Sequence, residues 1–154
     1  MVDSFYGMHW MLATPFHQNE EVDYDSIPNL VQKAMSSGCT GVVGLGVMGE
    51  TARLTDRERT KIAETIIKSS ENLPVTLGTT ANGTKAMIER SKEAEQIGAA
   101  AVMVSAPSMP KSNLDALFGY YHQLAEQLTI PIVMQDYPQT SLSLIHISEP
   151  TRPY

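Results

Sequence analysis

Cysteine is nearly absent from this 154-residue chain: Cys39 stands alone, so no intrachain disulfide can brace the fold, and the usage fits a reducing, cytoplasmic setting. Basic clusters are missing too. The 11 Lys and Arg residues are scattered among 17 Asp and Glu, for a formal net charge of −6. That balance argues against duplex nucleic acid or an anionic membrane as a partner. No apolar run reaches membrane-spanning length, and the start Met1-Val2-Asp3-Ser4 lacks the basic-then-apolar order of a signal peptide. His9, His17, His122 and His146 show no i, i+4 ligand spacing, so neither a metal nor another cofactor is expected. What remains is a 42% hydrophobic chain, long enough for one domain with a sizeable core.

Apolar segments alternate with amphipathic ones. Strands are expected at Met8 to Thr14, Gly41 to Gly46, Pro74 to Gly78, Ala100 to Val104 and Ile130 to Gln135. Between them lie four helical patterns. The first is expected to be capped by Asp25 with Pro28 in its first turn, and to stop at Gly38. The second opens with a capping box, Thr55 with Glu58. The third runs from Thr84 to a stop at Gly98, and the fourth is capped by Asn113. The strands are apolar on both faces, which suits a parallel sheet covered by helices. An open doubly wound sheet and a closed barrel both fit this pattern, although the first strand runs into Thr14-Pro15-Phe16 without the Gly-x-Gly-x-x-Gly turn of a nucleotide site.

The most informative stretch is Gly44-Leu45-Gly46-Val47-Met48-Gly49-Glu50. Glycines at the carboxyl end of a strand let the backbone turn tightly and approach a ligand closely, and unpaired N–H groups there can hold a carboxylate. Gly46, Val47, Met48 and Gly49 are therefore the candidate substrate-binding residues. Thr79 and Thr80 are candidates for the pocket mouth. Glu50 is expected to bond neighbouring backbone N–H groups. Of Tyr120 and Tyr121, one is expected to pack inward and the other to reach water.

Thr14-Pro15-Phe16, Gly46-x-x-Gly49-Glu50, Gly78-Thr79-Thr80-Ala81-Asn82-Gly83-Thr84, Ala106-Pro107 and Gln135-Asp136-Tyr137-Pro138 follow one another at strand ends. In that order they resemble the dihydrodipicolinate synthase and N-acetylneuraminate lyase family, over about residues 8 to 140. The resemblance implies a (β/α)8 TIM barrel and Schiff-base aldolase chemistry on pyruvate or a related 2-oxo acid, without a metal. It also implies a homo-oligomeric parent protein.

The chain departs from the family pattern at several points. Val47 and Met48 stand where the family usually carries hydroxyl side chains, and Gln135 occupies the position of its proton-relay tyrosine. An amide has no useful pKa for that task. Tyr137 lies two residues on, and Met109 stands near a usual aromatic. The family's Schiff-base lysine sits at the end of a sixth strand, whereas the pattern here stops after about the fifth. Residues 1–141 are thus expected to form the amino-terminal part of a barrel. Residues 142–154 resemble translated sequencing adapter and are expected to be a non-native or disordered tail. Lys111, beyond the fourth strand, lies on the wrong strand to replace the missing amine. The isolated chain is accordingly expected to be an inactive piece of a lyase. The alternative is a non-catalytic 2-oxo acid binder or regulatory paralogue.

Overall fold

A computed structural model describes residues 5–107 and 113–136. The expectations attached to Met109, Lys111, Tyr137 and the 142–154 tail lie outside those residues. Five strands, β1 (His9–Met11), β2 (Gly41–Gly44), β3 (Val75–Gly78), β4 (Ala101–Ser105) and β5 (Ile132–Gln135), alternate with four helices. The helices are α1 (Ile27–Ser36), α2 (Asp56–Ser69), α3 (Thr84–Gln96) and α4 (Leu114–Ala125). Every neighbouring pair of strands is parallel and the sheet order is β1-β2-β3-β4-β5. A doubly wound sheet reverses its strand order at a switch point. No reversal occurs here, so the consecutive order is that of a TIM barrel, and the open-sheet reading falls away.

Local chemistry explains the helix boundaries. At the start of α2 the Thr55 N–H donates to Glu58 Oε2 at 2.8 Å and the Glu58 N–H donates to Thr55 Oγ1 at 3.3 Å, completing the capping box. Asn113 Oδ1 accepts from the N–H groups of Asp115 and Ala116 to start α4. The start of α1 differs from expectation. Asp25 is exposed and caps nothing; Asp23 accepts from the Ser26 N–H at 3.1 Å. The cap moves because a 3-10 turn, Tyr24–Ser26, precedes the α-helix, so the orphan N–H groups begin earlier in the chain. Gly38 and Gly98 follow α1 and α3 with φ of 78° and 100°, the left-handed stop expected of them.

Strands β2, β3 and β4 are buried along their whole length. Val42, Val102 and Val104 are fully enclosed, and Val31, Ile62, Ile66, Met87 and Leu124 are buried from the helices. Each such side chain contributes about 1.5–3 kcal/mol through area removed from water. No helix among the described residues is long and apolar enough to cross a membrane.

Strands β1 and β5 each have one neighbour among the described residues. Exposed apolar groups gather there: Trp10 on β1, and Val133 and Met134 on β5, with Met134 56% exposed. An edge strand with apolar side chains is a template for pairing with another chain. The 154-residue chain is therefore expected to self-associate. Light scattering at rising concentration should give a mass well above 16.9 kDa, and Val133→Lys combined with Met134→Glu should shift it toward monomer.

Candidate active site

The carboxyl ends of β2 to β5 converge on one cleft of about 460 Å³. Its floor includes Gly46 and Met103, and its walls carry Val47, Thr80, Ser105 and Gln135. A second cavity of about 280 Å³ lies between α2 and α3 on the outer face of the sheet. That cavity is crossed by the Arg90–Asp56 ion pair at 2.7 Å and by a Thr60–Glu93 hydrogen bond. The strand-end cleft is where this architecture places chemistry.

The glycine-rich turn follows β2 directly. Leu45 has φ of 56° and Glu50 φ of 52°, so the left-handed positions fall on residues other than glycine. For L side chains that conformation costs about 1–2 kcal/mol each, and it persists because neighbours hold it. The glycines serve close approach instead. A Cβ on Gly46 would lie 2.9 Å from Met11 Sδ, and one on Gly78 would lie 1.9 Å from the Leu45 carbonyl oxygen. Three side-chain bonds fix the loop. Thr14 Oγ1 donates to the Gly49 carbonyl at 2.7 Å. Buried Arg59 donates from Nη1 to the Thr51 carbonyl at 3.2 Å and from Nη2 to the Gly78 carbonyl at 3.0 Å. Burial, helped by Arg90 nearby, brings the Arg59 pKa down to about 10, so the group stays charged at neutral pH.

Within the 3-10 turn Val47–Gly49, the Gly49 N–H bonds the Gly46 carbonyl and the Glu50 N–H bonds the Val47 carbonyl. The N–H groups of Val47 and Met48 have no backbone acceptor among the described residues. Such paired donors at the start of a turn suit an oxyanion. Across the cleft, the Ser105 N–H donates to Thr80 Oγ1 at 2.9 Å and Ser105 Oγ donates to Gln135 Oε1 at 3.0 Å.

Gly46, Val47 and Gln135 line the cleft, as does Thr80. Met48 and Gly49 are not among its lining residues: the Met48 side chain is 60% exposed, and Gly49 is buried beside Thr14. Thr79 is buried behind the strand end, bonded to Ser91 Oγ at 2.8 Å, and does not reach the mouth. Glu50 bonds Arg53 Nη1 at 2.8 Å instead of backbone N–H groups, because its left-handed backbone turns the carboxylate outward along the next 3-10 turn. Tyr120 is buried and donates to the Ala81 carbonyl at 2.9 Å, while Tyr121 is half-buried and donates to the Val104 carbonyl at 3.1 Å. Burial pushes both phenols up to about 12, which leaves them protonated at neutral pH. Ser105 escaped the sequence reading. The signal for it was a lone hydroxyl closing the apolar run Ala101-Val102-Met103-Val104.

The Dihydrodipicolinate synthetase family model matches residues 4–151. A curated relative, the 4-hydroxy-tetrahydrodipicolinate synthase of Oceanobacillus iheyensis, is 34% identical over 128 residues, 82% of this chain and 43% of its own length. A crystal structure of a dihydrodipicolinate synthase superposes with a TM-score of 0.86 and 30% identity, over 90% of this chain and 48% of that one. The Acinetobacter baumannii dihydrodipicolinate synthase, crystallised with pyruvate, gives 0.84 and 29%, over 88% of this chain and 47% of that one. The chain thus spans about half the length of the relatives it matches.

Two substitutions probe how the turn is held. Gly78→Ala forces a methyl into the Leu45 carbonyl and should cost about 3 kcal/mol, the upper range for overpacking. Arg59→Met leaves two carbonyls without their charged donor and should cost about 3 kcal/mol as well. Urea unfolding of each variant against wild type measures both.

Proposed function

The chain belongs to the dihydrodipicolinate synthetase family, and from that membership we propose that the intact protein is a Schiff-base-forming aldolase or lyase acting on pyruvate or a related 2-oxo acid. One observation carries this reading: the turn after β2 brings Gly46 and Val47 to the strand-end cleft of a consecutive parallel β/α array, with the Val47 N–H lacking a backbone acceptor among the described residues. A 2-oxo acid supplies the matching carboxylate. A lysine amine would add to the keto carbon and expel water. The resulting iminium would take up the electron pair released when the neighbouring bond breaks. The cleft's part would be to fix the carboxylate and orient the keto carbon.

The described lysines do not supply that amine. Lys33, Lys61, Lys68, Lys85 and Lys92 lie on helices α1, α2 and α3, and none of them lines the strand-end cleft. The 154-residue chain alone is therefore proposed to turn nothing over. Proton movement also needs a source other than the described tyrosines of α4, which stay protonated at neutral pH and are bonded to carbonyls. Gln135, with Val47 and Met48, supports a second reading, a 2-oxo acid binder or regulatory paralogue without catalysis. The two readings part on one feature: whether the gene encodes a lysine at the end of a sixth strand.

Incubation of the 154-residue chain with pyruvate and borohydride, followed by intact-mass measurement, should leave its mass unchanged. A stable adduct on Lys111 or any other lysine would overturn the assignment of the amine to a segment outside this chain.

A further inference from the structure

The loop from β3 to α3 holds a junction with chemistry of its own. The chain has five asparagines, and Asn82 is the one followed by glycine. Asn82 and Gly83 are both exposed, and Asn82 lines the strand-end cleft. Its side-chain amide makes no hydrogen bond among the described residues. The Gly83 N–H has no backbone acceptor among them either, because Gly83 is the N-cap of α3, where backbone donors are orphaned.

The other four asparagines are restrained. Asn19 is tied to Glu21 through both its Nδ2 and its Oδ1. Asn113 Oδ1 caps α4, and Asn29 lies within α1. Asn72 is exposed, but the N–H of the next residue, Leu73, donates to the Ser70 carbonyl at 2.8 Å. Only at Asn82 are the amide carbon and the following nitrogen both left free. Nothing in the packing demands the glycine: φ at Gly83 is −96°, and a Cβ there would meet no atom within 4 Å. Its effect is to leave the backbone nitrogen unshielded and the main chain free to turn it toward the side chain.

We propose that Asn82-Gly83 is a self-modification site, at which the chain deamidates with water as the only co-reactant. The Gly83 nitrogen gives up its proton and bonds the Asn82 Cγ. The Cγ–Nδ2 bond breaks, and the side-chain nitrogen leaves as ammonia with that proton. The five-membered imide so formed is opened by water at either carbonyl, giving aspartate or isoaspartate; the new acid's proton passes to the ammonia. The net change is amide plus water to carboxylate plus ammonium, with no oxidation or reduction. The product charge falls one position before the N-cap of α3, a helix start with neither a side-chain cap nor an acid in its first turn. Negative charge is favoured at such a start. A neutral group lining the cleft thereby becomes an anion.

Ageing the 154-residue chain in mildly alkaline buffer, followed by peptide mapping, tests this. The mass gain of an amide-to-acid exchange should appear at Asn82, as separable aspartyl and isoaspartyl products, with ammonium released in step. Because an exposed loop leaves the junction unrestrained, the rate should fall within about threefold of that of a synthetic peptide of residues 80–86. Gly83→Ala, whose methyl shields the nitrogen and narrows the backbone's choices, should slow conversion about 10-fold. A thermal melt establishes that this variant folds. An Asn82 that stays an amide while the peptide converts would overturn the proposal. So would equal conversion at Asn72, or a rate that Gly83→Ala leaves unchanged.

Discussion

The close crossing of two strand ends governs the arrangement. The Leu45 carbonyl passes so near Gly78 that no side chain fits there, and this contact brings the turn after β2 over the end of β3. Arg59 then bonds the Gly78 carbonyl at the crossing and the Thr51 carbonyl beyond the turn. Its charge stays buried with carbonyl acceptors rather than a bonded carboxylate, which is reflected in a pKa drawn down by burial. The cleft, the free N–H groups of Val47 and Met48 and the left-handed Leu45 all follow from that arrangement.

Much of the architecture was legible because its signals are local. The Thr55–Glu58 capping box, the stops at Gly38 and Gly98 and the apolar strands each state their own conformation. The order of the strands was not local, and both an open sheet and a barrel satisfied the pattern until a family resemblance favoured one and the consecutive pairing decided it. Asp25 misled for a physical reason: an acid before an amphipathic run is a fair cap, but a 3-10 turn placed the demand on Asp23.

The site was less legible. Three glycines in seven residues pointed correctly to the turn. The left-handed angles fall on Leu45 and Glu50, while Gly44 and Gly46 admit close neighbours, Ile66 and Met11. Which hydroxyls reach the cleft depends on strand register, and one step separates Thr80, on the wall, from Thr79, locked behind it to Ser91. Ser105 and Gln135 meet because β4 and β5 pair them directly, a contact across 30 positions that no sequence window contains.

Helix α2 has a mechanical consequence. Ile66 fills the space that a side chain on Gly44 would need, while Arg59, about two turns earlier, bonds the Thr51 carbonyl just past the turn after β2 and the Gly78 carbonyl at the end of β3. Residues at such spacing share one face of a helix. An outer helix therefore acts as a transmission rod for the inner loop: sliding it along its axis would drag the Gly44 and Thr51 ends of the turn together. Forces applied to the outside of the sheet reach the turn after β2 through a single rigid element.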